Sequence, residues 1–271
     1  MMKRAQGLIV GLLTAGMLMG CLPNDTTAEN VTTARSVEVP VLMYHHFAEE
    51  DGSYTVSAGR FRDHLEALTR AGYETVTFAQ LEAFAAGEGE LPEKPVLLTA
   101  DDGYTGVLTY ALPVLAEYDM VMSVAVIGAL LGVGGDGRIP HFSLEELMAA
   151  DAEGRLEVVS HSYALHGTAA EMQGAVNLTL PPEEYEARLL TDCCAMAQMA
   201  ETYPGVGRVF VYPYGAYSAE SEWFLAQAGY TVTVTTDYGV ANITVEEELT
   251  LLPRIPAEWY KTGEALLAAL T

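Results

Sequence analysis

The sequence predicts an α/β fold built on a parallel sheet. Short apolar runs alternate with amphipathic helical segments along most of the chain. Seven polar residues, His45, Asp101, Asp102, His161, Tyr214, Asp237 and Arg254, follow the carboxyl ends of those runs. In parallel α/β folds that edge carries the ligand site, because the connecting loops converge there. The length of 271 residues suits one such domain, since α/β barrels run to about 200–250 residues as a single unit.

The elements follow in order. Val39–Tyr44 reads as a buried strand ending at His45-His46. Phe61, Leu65 and Leu68 mark one face of a helix stopped by Gly72. A short strand at Thr75–Phe78 precedes a helix over Ala79–Ala86, and Val96–Ala100 is a strand running into Asp101-Asp102-Gly103. A helix covers Gly106–Tyr118, with Pro113 as a kink. Val121–Ile127 is a strand, and Ser143-Leu144-Glu145-Glu146 forms a capping box that opens a helix to about Ala152. Leu156–Val159 ends at Ser160-His161, and a helical stretch over Glu183–Thr202 places Tyr185, Leu189, Cys193 and Met196 on one face. Val209–Tyr212 is a strand ending at Pro213-Tyr214-Gly215. A helix over Ala219–Ala228 leads to the strand Tyr230–Thr235. Leu249–Leu252 reaches Arg254 through Pro253, and Thr262–Leu270 is a terminal helix. About eight strands result, in a sheet that is either a barrel or doubly wound.

Composition narrows the function. A formal charge of −24 repels phosphate backbones and excludes nucleic acid as a partner, while neutral and cationic ligands are not penalised. Lys3 and Arg4 precede an uncharged apolar run over Gly7–Gly20, which suits an export signal and is short for a membrane span. The run ends in Leu18-Met19-Gly20-Cys21. Residues 22–38, rich in Thr, Asn and Ala, read as a polar tether, and the catalytic domain is expected over 39–271. Cys193 and Cys194 are adjacent, so a bridge between them would be strained; buried thiols are the expectation.

Three segments carry chemistry. Asp101-Asp102-Gly103 sets neighbouring carboxylates at a strand end, and ionising both calls for a cation. Successive strand side chains point opposite ways, so the two acids can take different tasks. Alone, such a triplet is most often a solvated turn. His161-Ser162-Tyr163-Ala164-Leu165-His166 spaces two imidazoles five apart, which diverge on a helix but converge in a loop leaving a strand. Two neutral imidazoles and a carboxylate make a site for Zn²⁺ or a similar divalent ion with positions left open; the bland alternative is two surface histidines. Tyr212-Pro213-Tyr214-Gly215 offers a rigid aromatic wall and a backbone N–H for a developing oxyanion. Tyr163, Tyr212, Tyr214, Tyr217 and Trp223 are available for stacking on sugars. His64 is expected at a helix surface, and His141 carries no role.

Taken together, these residues resemble the polysaccharide deacetylases of carbohydrate esterase family four, over about Val39 to Arg254. Val41-Leu42-Met43-Tyr44-His45-His46, the His spacing and the Tyr212–Gly215 turn are most similar to the poly-N-acetylglucosamine deacetylase branch. The resemblance implies a distorted (β/α) barrel of seven to eight strands. It implies Asp101 as general base, with Asp102, His161 and His166 as holders of a divalent metal: zinc, with nickel, cobalt or iron as alternatives. The metal and the Tyr214 N–H would stabilise the tetrahedral oxyanion. Leu18–Cys21 resembles the lipobox of bacterial lipoproteins, which implies a lipid on Cys21 and attachment to the outer face of the cytoplasmic membrane. The sequence also departs from the family. Val211 stands where many members have an Arg that orients the base, and Arg254 is the candidate replacement. No His follows His166 to protonate the leaving nitrogen, and His45 is the candidate for that task. Ala100 replaces a customary Phe. The expected activity is N-deacetylation of an extracellular N-acetylglucosamine glycan. The alternatives are O-deacetylation of an acetylated xylan-like glycan and a glycan-binding surface protein with impaired catalysis.

Overall fold

The computed structural model describes residues 35–270 apart from 136, 168 and 169, so the expected signal segment and Cys21 lie outside the described residues. The central sheet contains β1 (Val41–Tyr44), β2 (Glu74–Val76), β3 (Pro95–Ala100), β4 (Met122–Val126), β5 (Leu156–Ser160), β6 (Val209–Val211), β7 (Val232–Tyr238) and β8 (Leu249–Pro256). Seven of these strands close a parallel ring in the order β1-β8-β7-β6-β5-β4-β3, and β3 returns to β1 through Leu97–Ala100 against Val41–Tyr44. The eighth strand, β2, pairs with Pro95–Leu97 on the edge that β4 takes further along β3. The ring is a (β/α) barrel.

Side-chain alternation explains the closure. Val41, Leu97, Ala125, Val159, Val211 and Val234 share one buried cluster, whereas Leu42, Leu98, Val124 and Val158 pack in another with the surrounding helices. The first of these clusters is floored by Phe78, Leu81 and Phe84 of α2 (given below), together with Val39, Ala241 and Ile243. Those last residues belong to an antiparallel ribbon of Ser36–Val39 with Ala241–Thr244. The polar segment expected to run to residue 38 is therefore strand from Ser36 onward. Pro40, which has no N–H to donate, separates that ribbon from β1.

The helices are α1 (Ala58–Arg70), α2 (Phe78–Ala85), α3 (Leu112–Glu117), α4 (Leu144–Ala150), α5 (Pro182–Ala197), α6 (Ala219–Gln227) and α7 (Gly263–Leu267). Ser57 caps α1, and Ser143 with Glu146 forms the expected capping box on α4. The helix expected over Gly106–Tyr118 divides into a π-helical turn, Val107–Ala111, and α3. α5 turns Tyr185, Leu189, Cys193 and Met196 inward, while Cys194 is exposed, so one of the two thiols expected to be buried is not. β8 runs through Pro253 to Pro256. Leu251 adopts φ 54°, and the β7–β8 register shifts, which absorbs the proline within the strand. Arg254 is thus a strand residue rather than one beyond the strand end.

Candidate active site

Strand alternation carries Asp101 into the barrel mouth, because it continues the inward series Leu97, Thr99. There Arg254, fully buried, pairs with it in two parallel hydrogen bonds: Nη1 donates to Oδ1 at 2.7 Å and Nη2 to Oδ2 at 2.8 Å. The guanidinium is fixed further by Nε donating to the Thr235 carbonyl at 2.8 Å and Nη1 donating to Thr99 Oγ1 at 3.2 Å. Burial alone would raise the Asp101 carboxyl. The charge of Arg254 and its hydrogen bonds outweigh burial and hold it well below the usual carboxylate range. His45, at the end of β1, sets Nε2 4.0 Å from Asp101 Oδ2.

The second acid is turned the other way. Asp102 takes a left-handed φ of 75° and is followed by Gly103 at 78°, a reversal that swings its carboxylate out of the strand direction. Its Oδ1 lies 3.6 Å from His161 Nε2 and 3.5 Å from His166 Nε2, and the three ligand atoms all fall within 4.8 Å of one another. These separations are long for hydrogen bonds. They match the ~3.4 Å between neighbouring ligands bound at about 2.0–2.1 Å in a tetrahedral site. Asp102 Oδ1 is buried with no hydrogen-bond partner among the described residues, so the set presents an unsatisfied anionic oxygen toward two imidazole nitrogens. His161 Nδ1 lies 2.8 Å from the Val211 carbonyl, which can only accept; Nδ1 therefore carries the proton and Nε2 keeps its lone pair for a cation. That bond also crosses the weakest part of the ring, where β5 and β6 share the single registered pair Phe210–Ser160. Burial lowers the His161 pKa, which favours the neutral ligand form. The residues fit a divalent cation.

The loop between the imidazoles is anchored from outside the barrel. Asp192 of α5, buried, accepts from the Tyr163 N–H at 2.8 Å and the Ala164 N–H at 2.7 Å. Burial raises its carboxyl, and the backbone N–H groups of Tyr163, Ala164 and Leu165 oppose that rise. Gly128 N–H donates to the Ser162 carbonyl at 3.1 Å, and Ala129 N–H donates to the Tyr163 carbonyl at 2.8 Å. Ser162 takes φ 66°. Tyr214, at φ 61°, lays its ring 4.5 Å from that of His166, and its hydroxyl donates to the His166 carbonyl at 2.8 Å. The next residue must be glycine, since a Cβ at Gly215 would stand 2.0 Å from Thr236 Oγ1.

Other expectations fare differently. Asp237 lies within β7 and accepts from the Tyr217 hydroxyl at 2.9 Å, and it is not one of the three residues grouped around the Asp102 carboxylate. Tyr212 is buried, donating to Glu222 of α6 at 2.5 Å, and offers no face to a sugar. His64 is wholly buried rather than at the surface: its Nε2 lies 2.9 Å from the Lys261 carbonyl and its Nδ1 3.1 Å from the Tyr44 hydroxyl. Because the carbonyl can only accept, Nε2 carries the proton and Tyr44 donates to Nδ1. Sequence patterns missed Asp192, whose signal is an acid on the buried side of an amphipathic helix. They also missed Tyr104, whose ring packs between His46 at 5.4 Å and His141 at 4.7 Å. Burial first, and then Asp102, push the Tyr104 hydroxyl upward, and an isolated bridge pairs Tyr104 with His141.

Comparison with known proteins gives the family. The Bacillus subtilis protein YxkH is 28% identical over 218 residues, covering 80% of this chain and 71% of its own. The poly-beta-1,6-N-acetyl-D-glucosamine N-deacetylase of Escherichia coli K12 is 26% identical over 242 residues, covering 79% of this chain. This chain spans only 36% of that protein's length. The structure of IcaB from Ammonifex degensii superposes with a TM-score of 0.71 at 26% identity, covering 86% of this chain and 97% of its own. A family profile described as polysaccharide deacetylase matches residues 88–233, a range that contains Asp101, Asp102, His161, His166 and the Tyr214 turn. A barrel mouth with this carboxylate pair and this histidine loop, matched over more than half of its length, belongs to the polysaccharide deacetylase family.

Proposed function

We propose that this deacetylase removes N-acetyl groups from an N-acetylglucosamine-containing glycan outside the cell, with a divalent cation, zinc in the first instance, held by Asp102, His161 and His166. The observation that carries the reading is the unpartnered Asp102 Oδ1 between two imidazole nitrogens, set beside an acid locked by a buried arginine. The likeness to the Escherichia coli N-deacetylase supports the acetamide as the bond that is cleaved. A base held as low as Asp101 takes a proton only from a water already acidified, and that acidification, with polarisation of the acetyl carbonyl, is the chemistry the cation supplies when bound.

The chain's own groups account for the rest. Asp101, held ionised and in place by Arg254, orients the attacking water and accepts its proton. The Tyr214 N–H, in a turn stiffened by Pro213, serves the oxyanion. His45 donates a proton to the departing nitrogen as the carbon–nitrogen bond breaks, leaving acetate and a free amine on the sugar. The test is acetate release from β-1,6-linked N-acetylglucosamine oligomers, before and after chelation and zinc restoration. Release that stops with chelator and returns with zinc is expected; release indifferent to chelator overturns the reading. The extracellular setting rests on the export signal and Cys21. Metabolic labelling with a radioactive fatty acid is expected to mark the native protein and not Cys21→Ala, and absence of label on the native protein would refute a lipid anchor.

A further inference from the structure

Beside the carboxylate and imidazole cluster, on the β1–β8 side of the mouth, lies a cleft of about 370 Å³ with two walls. One is Ser53–Val56, the other Pro256–Trp259, and His45 lies at their meeting with Tyr44 below. The volume falls within the ~300–1,000 Å³ range of small-ligand sites. Tyr54 is 79% exposed, holds a left-handed φ of 58° and stands edge-on to the His45 ring at 5.7 Å. An aromatic residue kept both exposed and in an unfavourable backbone region points to a retained task. Trp259, on the other wall, is 40% exposed.

The cleft is built rather than incidental. Buried His64 ties the Tyr44 hydroxyl to the Lys261 carbonyl, so the floor and the segment carrying Trp259 are joined by one imidazole. Between them Glu258 receives the Tyr260 hydroxyl and pairs with Lys261 Nζ at 3.2 Å. That arrangement steadies an ionised carboxylate among apolar faces, a combination suited to a sugar ring: flat apolar surface for its C–H face and an acceptor for its hydroxyls.

Resting on the function proposed above, we infer that this cleft seats the hexosamine ring whose acetamide is cleaved, between Tyr54 and Trp259, with Glu258 accepting from its hydroxyls. The chemistry fixes the side. The departing nitrogen is bonded to the sugar, so the acid that serves it must lie toward the ring, and His45 is the residue shared by the cleft and the Asp101 pair. The acetyl group then points the opposite way, toward the imidazole ligands. The neutral-to-cationic character of such a glycan suits a chain of net charge −24.

The chain has only two tryptophans, which makes the test direct. In Trp223→Phe/Asp101→Asn protein loaded with zinc, emission reports Trp259 alone and turnover is blocked. Titration with a β-1,6-linked N-acetylglucosamine tetramer is expected to give a saturable emission change, weakened about tenfold by Tyr54→Ala and also by Glu258→Ala. In the otherwise native enzyme, Tyr54→Ala is expected to raise KM about tenfold while kcat and zinc affinity stay within about threefold. Acetate release by the native enzyme with no emission change on titration overturns the cleft and leaves the deacetylase reading standing. No acetate release from the native zinc-loaded enzyme overturns that reading and, with it, this inference.

Discussion

With Arg254 removed, Asp101 would keep its burial and lose the cation that opposes it. Its carboxyl would then rise, because desolvation is the largest single influence on it. Arg254→Ala is therefore expected to move the acid limb of the kcat/KM profile to higher pH and to lower activity about a hundredfold or more, measured as acetate release against pH. The same substitution leaves a buried charge unpaired, at a cost of about 3–5 kcal/mol in urea unfolding at pH 7. The sign follows from the direction of the shift. A carboxyl held below its unfolded value stabilises the fold above that unfolded value, and the contribution is lost as pH falls through the folded one. Asp102 shows the opposite balance, since its φ of 75° and its orphaned oxygen both weigh against the cation-free fold. Asp102→Gly is expected to raise the melting temperature in chelator while abolishing the further rise that zinc gives the native chain; thermal melts with and without zinc check both.

At the scale of elements, the imidazole loop is held by α5 rather than by its own strand. Asp192 grips the two N–H groups that follow Ser162, and its helix is positioned by Tyr185, Leu189, Cys193 and Met196. Asp192→Asn replaces one acceptor with a donor facing a donor. It is expected to weaken zinc affinity about 10–100-fold, measured by competition with a chromophoric chelator. In a His166→Ala background the same change is expected to have little further effect, because its route to the metal is then gone. The histidine spacing was legible in the sequence. Its anchor was not, because Asp192 follows the loop by 29 and 28 positions in the two bonds it accepts, and nothing local marks the contact.

The whole molecule adds a field that no single residue supplies. Thirteen basic residues against 37 acidic ones give the chain a formal charge of −24. As acetyl groups are removed, a glucosamine polymer becomes cationic and is drawn to that surface. The kcat/KM for a half-deacetylated oligomer is thus expected to fall with added salt, while that for the fully acetylated, neutral oligomer stays nearly constant between 0.05 and 0.5 M, values set by the ~14 Å and ~4 Å Debye lengths at those strengths. Parallel initial rates on the two substrates decide it. Closure of the barrel also belongs to this scale. Alternation along the strands leaves open whether a parallel sheet curls or stays flat, whereas the return of β3 to β1 closes the ring and brings β8, with Arg254, within one strand of β3, which leads to Asp101, with β1 between them.

Local order was within reach of the sequence: the strands, most helices, the Asp101-Asp102-Gly103 and His161–His166 segments and their family likeness. All depend on residues near one another in the chain, where alternation, capping and spacing act directly. Arg254 was already the candidate partner of Asp101, 153 positions away, but only tertiary structure decided that it meets that acid in two parallel bonds, and it alone decided that His64 lies in the interior joining Tyr44 to Lys261. It alone turned Tyr212 inward and brought Tyr54 and Trp259 to one cleft. Such pairings follow from ring closure and helix packing, which fix distances between segments that share no local pattern.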